Sequence, residues 1–485
     1  MTDSAKNNTL SRRTVLKAMG TAPLLAAAGP VRALNKTDVI VIGAGLSGLN
    51  AALLLEAAGM SVTVLEGRNR IGGRVQSLRN IPGNPEVGGT AFGPGYARLV
   101  DAANKYGVGL VDITPTIPYF MSREIHLNGE YIKAAEWKDH PQNPFEGPLR
   151  QVPPYSYFGA AMGGMNPLKN TDDWVDPANA KYDISLHDWL RQMGQSEATI
   201  NLAYNTNPTH GMTAHDISAL LAMFSASFGG KQRALTASMA AKGYTAVGGN
   251  QAIPEAMAGA LGGDVLLNTT VVGIRSSDSG VEVHTADGTI HRADRVISSL
   301  PCSVLRRVKI DPLLSGKQAQ GVKTLNSQII NQIHIVPKSP FWEKDGMSPN
   351  MFTDSLTGMV IGEHKGADPS DVTSLTIWQR GERAAWADQI NQQVAIDAVI
   401  ADFERLRPAA KGQLDVLGYK SWYRDPYSSG DWAIWAPGQV SGFFHELSKP
   451  HGRVHFCGEH TAVANRGMEG AMESGERVAM EILLG

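Results

Sequence analysis

The chain has 485 residues, 42% of them hydrophobic and 19% charged, with 52 glycines and a formal charge of −2 at pH 7. That length is more than one simple core accommodates, so two domains are expected, and the near-neutral charge gives no reason to expect a nucleic-acid partner. No stretch reaches the ~18 to 20 consecutive apolar residues that a membrane span needs.

The first 33 residues do not read as fold. SRRTVLKAMGTAPLLAAAGPVRA pairs Arg12 with Arg13, continues as a short, weakly apolar stretch and ends in the small-residue pattern Val31-Arg32-Ala33. This resembles a twin-arginine export signal, which implies a periplasmic protein exported already folded. Five basic residues and one acidic residue lie in this segment, so the remaining body is more acidic than the whole. Only Cys302 and Cys457 are present, and nothing in their separation demands a disulfide, even in an oxidising compartment.

The body opens on Val39, Ile40, Val41 and Ile42, a continuous apolar run suited to a strand buried on both faces. Gly43-Ala44-Gly45-Leu46-Ser47-Gly48 is a turn, Leu49 to Ala58 a helix, and Ser61 to Leu65 a second strand ending at Glu66. G-x-G-x-x-G between strand and helix is a dinucleotide fingerprint. Gly43, Gly45 and Gly48 allow a tight turn and close backbone approach, and the helix N-terminus faces the pyrophosphate. Glu66 is placed to accept hydrogen bonds from the ribose hydroxyls. LEGRNRIGGRVQSL then adds a second glycine pair ending at Gly73, with Arg68 and Arg74, whose guanidiniums suit a pyrophosphate and the ring system beyond it.

Residues 98–245 read as a mostly helical insertion. Within it, 141–167 is too rich in Pro and Gly for regular structure. SLHDWLRQMG is a short helix capped by Ser185, with Asp188 at the capping-box position. More helical pattern runs to Ala241. Tyr155, Tyr157, Phe158, Met162 and Met165 are candidates for an entrance loop, with plain packing an equal alternative. Asp264 to Arg275, Gly280 to Thr285 and Thr289 to Ile297 alternate as strands. Residues 306–415 mix strand and helix, including the apolar-periodic Ile390 to Leu406, and the last 30 residues read strand, loop, helix. The expected architecture is α/β. A Rossmann-like dinucleotide-binding domain (36–97, 246–305 and 416–485) is interleaved with an α+β substrate domain (98–245 and 306–415). His210, His215, His334, His455 and His460 show no metal-ligand spacing, so no metal is expected, and no G-x-S-x-G elbow supports hydrolase chemistry.

The fingerprint and its continuation, with EVGGTAFG (86–93), GGNQAIPEAMAGAL, TTVVGI, DPYSSGDWAIWAPGQV (425–440) and HFCGEHTAVANRGMEGAMESGERVA, resemble the monoamine oxidase-like flavin amine oxidase superfamily over nearly the whole chain. The resemblance implies FAD, with Gly89 and Thr90 under the flavin and Val271 against adenine. Gly458 and Glu459 belong to the terminal motif, and the helix from Met468 points its N-terminus at the ring. It implies Trp432 as one wall of an aromatic cage, with Gly467 where the other wall is usually aromatic. That half-built cage is shared with exported nicotine-oxidising members. Asn331 or Gln332 stands where the family has a lysine linked through water to the flavin. Asp431 occupies the place of the flavin-linking cysteine, so the FAD is expected to be non-covalent. Cys457 reads as a small buried residue. The implied reaction removes a hydride from a carbon bearing an amine, and the resulting imine hydrolyses to a carbonyl. The alternatives are oxidation of a C–C or C–OH bond on the same scaffold, or a flavin-bearing module without turnover. The implied partners are a small amine and, for the electrons, oxygen or a periplasmic acceptor such as cytochrome c; a homodimer is allowed.

Overall fold

Residues 37–239 and 242–485 are described by the computed structural model. The expected export signal and Ala241 lie outside the described residues. Val39, Ile40 and Val41 are fully buried because their strand, Thr37–Ile42, is flanked on both sides. It pairs in parallel with Val62–Leu65 and with Ile290–Ser298. Val265–Leu266 and Val454–Phe456 extend these pairings, again in parallel. The hairpin Val271–Ser277 and Gly280–Thr285, with Lys309–Asp311 at its edge, completes eight strands.

Two helices close one face of this sheet. Leu46–Ala57 follows the glycine turn and Gly467–Leu484 ends the chain, and Leu49, Leu55, Val478, Ala479 and Ile482 share one core. Gly475 permits that approach: a Cβ there would lie 2.4 Å from the Ser47 carbonyl oxygen. The C-terminal helix thereby arrives beside the glycine turn, and its N-terminal end lines a cavity that the turn also lines.

The second sheet has seven strands in the order Leu414–Ser421, Ile330–Pro337, Val372–Arg380, Met359–His364, Met351–Thr353, Glu124–Leu127 and Glu130–Ile132. One face is covered by the helix Gln392–Leu406, whose Ile396, Val399 and Phe403 pack on Ile333, Ile335, Leu375 and Ile377. Asn391 caps that helix by accepting from the Gln393 and Val394 N–H groups. The opposite face supplies Gln332, Trp378 and Arg380 to a cavity.

Three details differ from the sequence expectation. Lys309–Asp311 joins the first sheet and Leu414–Ser421 the second, so the chain crosses between sheets later than 306 and 416. The stretch 141–167 is not irregular throughout, because Pro154–Met165 is a helix. Pro153 and Pro154 sit at its start, where a missing N–H costs nothing, and Cβ atoms at Gly159, Gly163 and Gly164 would meet nothing within 4 Å. Third, Ser185 does cap its helix, accepting from the Asp188 N–H at 3.0 Å, but the Asp188 carboxylate turns to His187 instead of closing the box. Among the described residues no helix is long and apolar enough to cross a membrane, and no cluster of His, Cys, Asp and Glu could hold a metal ion.

Candidate active site

A cavity of about 770 Å³ runs from the glycine turn to Trp432 and Trp378. At its nucleotide end Gly43 has φ +105°, and a Cβ there would lie 2.4 Å from Ser299 Oγ. Gly45 is the N-cap of Leu46–Ala57, which has no side-chain cap and no acidic residue in its first turn. The first N–H groups of a helix have no partners within it. With Gly45, Leu46 and Ser47 on the cavity wall, that end fits an anion. Glu66, 3% exposed, accepts from the Ala44 N–H and the Arg68 N–H, each at 2.9 Å. Each carboxylate oxygen keeps a lone pair for a ribose hydroxyl. Arg68 donates to Asp425 at 2.8 Å, and Arg74 donates to Glu459 at 3.0 Å and to the Asp431 carbonyl. These residues fit a dinucleotide: an uncapped helix end for its phosphates, a buried carboxylate for its ribose, and glycines where side chains would obstruct.

Gly73, Gly89, Thr90, Val271, Glu459, Gly467 and Met468 also line this cavity. Gly48 and Gly458 do not. A Cβ on Gly48 would meet the Gly43 carbonyl oxygen at 2.1 Å, and one on Gly458, at φ +132°, would meet the His460 ring at 2.5 Å. Both therefore shape the turns behind the wall.

At the other end the strand Ile330–Pro337 separates the two lysine-position candidates. Neighbouring residues on a strand face opposite ways. Gln332 lines the cavity. Asn331 is fully buried on the far face, donating to the Ala384 carbonyl at 3.0 Å, and takes no part in the site. The Gln332 amide lies between the Val87 carbonyl and the Trp378 indole N–H, each at 3.1 Å with nitrogen toward the former and oxygen toward the latter. It is a tether for Trp378. Trp432 donates from Nε1 to the Thr209 carbonyl at 3.2 Å. Gly467 has φ +58°, and no atom lies within 4 Å of where its Cβ would be, so the cavity is open there.

Trp378, Arg380, Tyr96 and Arg466 line the same cavity and were not anticipated from the sequence. The available signal was the alternation in VTSLTIWQR, which puts Thr376, Trp378 and Arg380 on one face of a strand. A second cavity of about 720 Å³ shares Tyr96, Trp378 and Arg380 with the first and is walled by aromatic residues including Phe120, Tyr155, Phe158 and Phe352. Of the entrance candidates, Tyr155 and Phe158 reach it. Tyr157 stacks on Phe145 at 3.7 Å, Met162 is fully buried, and Met165 packs beside them.

Electrostatics at the junction are set by burial. The Asp431 carboxyl is pushed up to about 6 by desolvation, against the pull of Arg74. His210 is held well below the usual histidine range by burial, with Arg466 adding to the effect, so its ring is neutral at pH 7. Burial pushes the Cys302 and Cys457 thiols up to about 12. Both are free, buried and protonated, so neither is a nucleophile.

The chain belongs to the family of flavin-containing amine oxidoreductases, whose model matches residues 46–483. Flavin-containing amine oxidase B of Homo sapiens is 27% identical over 465 residues, covering 93% of this chain and 86% of the human protein. A flavin-containing amine oxidase of Danio rerio is 27% identical over 473 residues, with the same coverage. Among solved structures, wild-type putrescine oxidase bound to putrescine superposes with a TM-score of 0.74 at 25% identity, over 94% of this chain and 100% of that one. Cyclohexylamine oxidase from Brevibacterium oxydans IH-35A shares the fold, with a TM-score of 0.72 at 23% identity over 92% of this chain and 99% of that one. The expected α/β fold, a parallel Rossmann-like sheet with a separate mixed sheet, is the fold of these enzymes, and membership of the family implies FAD.

Proposed function

We propose that the protein binds FAD non-covalently and oxidises the C–N bond of a small amine to an imine, which water hydrolyses to a carbonyl and ammonia or a smaller amine. The observation that carries this reading is the junction of the two cavities. The cradle shaped for a dinucleotide adjoins, across Tyr96, Trp378 and Arg380, an aromatic chamber without a metal cluster among the described residues. Bound FAD supplies the two-electron acceptor. The protein residues position and desolvate: Trp432 and Trp378 flank the reacting carbon, and the aromatic wall excludes water, which favours the neutral amine whose lone pair pushes out the hydride. Asp431 in place of a cysteine, with both thiols protonated and buried, supports non-covalent FAD.

An anaerobic panel of amines, alcohols and saturated acids, read as bleaching of the flavin absorbance, tests the reaction. Bleaching by amines alone is expected; bleaching only by an alcohol or a C–C substrate overturns it. Flavin that stays with the protein on a denaturing gel overturns non-covalent binding. Gln332 carries no charge where the family has its lysine. On that ground we propose slow reoxidation by oxygen and an external acceptor such as cytochrome c, because no ammonium there steadies a developing superoxide. Stopped-flow reoxidation in air-saturated buffer as fast as turnover would overturn this. Export rests on Arg12 and Arg13. Changing both to Lys is expected to empty the periplasmic fraction, and an unchanged fraction would remove the proposal.

A further inference from the structure

The second cavity holds more positive charge than the protein answers. Arg380 lies on the wall shared by both cavities, its guanidinium 4.7 Å from the Trp378 ring centroid and 5.7 Å from that of Trp432. Its surface exposure is intermediate, but that surface faces the cavity, and its Nε is buried without a hydrogen-bond partner. Arg123 lines only the second cavity, set 4.9 Å from the Tyr155 ring centroid and 5.1 Å from that of Phe120, and its Nε is likewise buried and unpartnered. Arg466 on the adjoining wall has the neutral His210 ring as its hydrogen-bond partner, at 3.3 Å, and shares the charges of Glu459 and Asp431.

The acidic groups facing these guanidiniums are already engaged. Glu459 is paired with Arg74 at 3.0 Å. Glu363 accepts from Thr376 Oγ1 at 2.8 Å, and the charge acting on it is Lys365. Asp431 is the one carboxylate acting on Arg380, and it also answers Arg74 and Arg466. Buried guanidinium nitrogens without a partner are costly to hold. The planar guanidinium fork matches a carboxylate, which it takes by two parallel hydrogen bonds.

We propose that the substrate is an amine bearing a carboxylate, an aminocarboxylate seated on Arg380 and Arg123 with its amine toward Trp432. This deepens the reading of the chamber as an amine site and rests on it. A second ammonium, as in a diamine, would meet the guanidiniums of Arg380 and Arg123, with Glu363, already under the pull of Lys365, as the one carboxylate lining the second cavity. The same positive field disfavours the ammonium form of the bound amine, leaving it neutral and able to give up a hydride.

The test uses FAD-loaded enzyme and matched pairs: aminocarboxylates, their primary amides, their decarboxylated amines and an aminophosphonate of equal length. Anaerobic flavin reduction gives an apparent Kd for each, and the carboxylated member is expected to bind at least ~30-fold more tightly than its amide. Arg123→Met, whose residue is remote from the nucleotide cradle, should lose that preference while keeping its flavin. Arg380→Met should lose it too, and Arg380→Lys should keep part of it. A second readout needs no turnover: titration with simple carboxylates lacking an amine should perturb the flavin spectrum of the wild type and leave that of Arg123→Met unchanged. Equal binding of acid and amide, or a preference that survives both Met variants, overturns the proposal. Tighter binding of the phosphonate overturns the choice of carboxylate. If no amine reduces the flavin while carboxylates still bind through Arg123, the oxidation reading fails and the anion site stands.

Discussion

The two ends of the joined cavities handle charge in opposite ways. At the nucleotide end, Glu66 holds two backbone N–H groups, Arg68 is paired with Asp425, and Arg74 with Glu459. At the proposed substrate end, Arg380 and Arg123 are half-buried, each with a buried, unpartnered Nε. A resident cofactor is best served by a cradle whose parts are already fixed by one another, so that binding reorganises nothing. A substrate that enters and leaves on every turnover can bring its own counter-charge, and an unanswered cation then selects for the molecule that carries it. On the proposed reading, resident and transient ligands leave different electrostatic marks on two adjoining cavities.

The largest effect should come from breaking the preformed end. Gly43→Val forces a branched Cβ into a φ +105° turn, 2.4 Å from Ser299 Oγ, and a β-branched residue there is strongly strained. Purified protein is expected to carry almost no flavin, measured as the ratio of absorbance at 450 nm to protein. A variant with wild-type flavin content would show that the cradle is not preformed in the way described.

That end was also the more legible in the sequence, for a physical reason. A turn that admits only glycine, a strand buried on both faces and a carboxylate at the next strand's end are local demands, written within thirty residues of one another. The substrate end is built by residues that meet across long separations. Trp432 and Arg380 stand 5.7 Å apart, centroid to guanidinium, yet 52 positions apart in the chain. Alternation along VTSLTIWQR puts Trp378 and Arg380 on one face, but nothing local says that this face lines a cavity. For Asn331 and Gln332 the ambiguity was a strand register, where one residue's shift exchanges the two faces. The helix Pro154–Met165 was hidden by its composition, because its prolines sit where they favour a helix start and its glycines pack against nothing.

Breaking the transient end should spare the cofactor. Trp432→Ala removes one wall and the hydrogen bond to Thr209, while the contacts of Glu66, Arg68 and the uncapped helix remain. Flavin reduction by the substrate is expected to slow about 100-fold, as misplacement near the reacting atoms commonly does, with flavin content within a factor of two of wild type. Parallel loss of both would make Trp432 part of the cradle, and the contrast between the ends would lose its boundary.

A smaller effect lies beneath the preformed end. Burial pushes the Glu86 carboxyl up to about 7 from 4.5, although the Asn250 N–H and Ser77 Oγ donate to it. Between about pH 4.5 and 7 the folded protein therefore holds a proton on Glu86 that the unfolded chain has released. Glu86 stabilises the fold below that window in relative terms, and its contribution falls as pH rises through it. Gln cannot titrate, so Glu86→Gln should gain on wild type between pH 5 and pH 8, by at most about 3 kcal/mol. His126, His334 and His460, each pushed down to about 4 by burial, give the opposite slope but are common to both proteins and cancel. Urea midpoints at the two pH values decide it, and parallel curves would mean that Glu86 is already ionised at pH 5.

The smallest expected effect is at the seam between the two ends, where Gln332 joins Val87 of the nucleotide side to Trp378 of the substrate wall. Gln332→Leu keeps nearly the same volume and removes both hydrogen bonds. The Val87 carbonyl keeps the Trp422 indole N–H at 2.7 Å, so only the Trp378 N–H loses its partner. One unsatisfied donor costs about 1–2 kcal/mol, a fall of a few degrees in the melting temperature of the loaded protein. Flavin content should change little, because Glu66, Arg68 and the uncapped helix end are untouched. The substrate wall should loosen, because Trp378 is left with its packing and the Arg380 guanidinium over its ring. The apparent Kd for substrate should then rise a few-fold while flavin binding stays at the wild-type value. A rise in both together would mean that the seam carries strain from one end to the other, and that the cradle and the chamber cannot be perturbed separately.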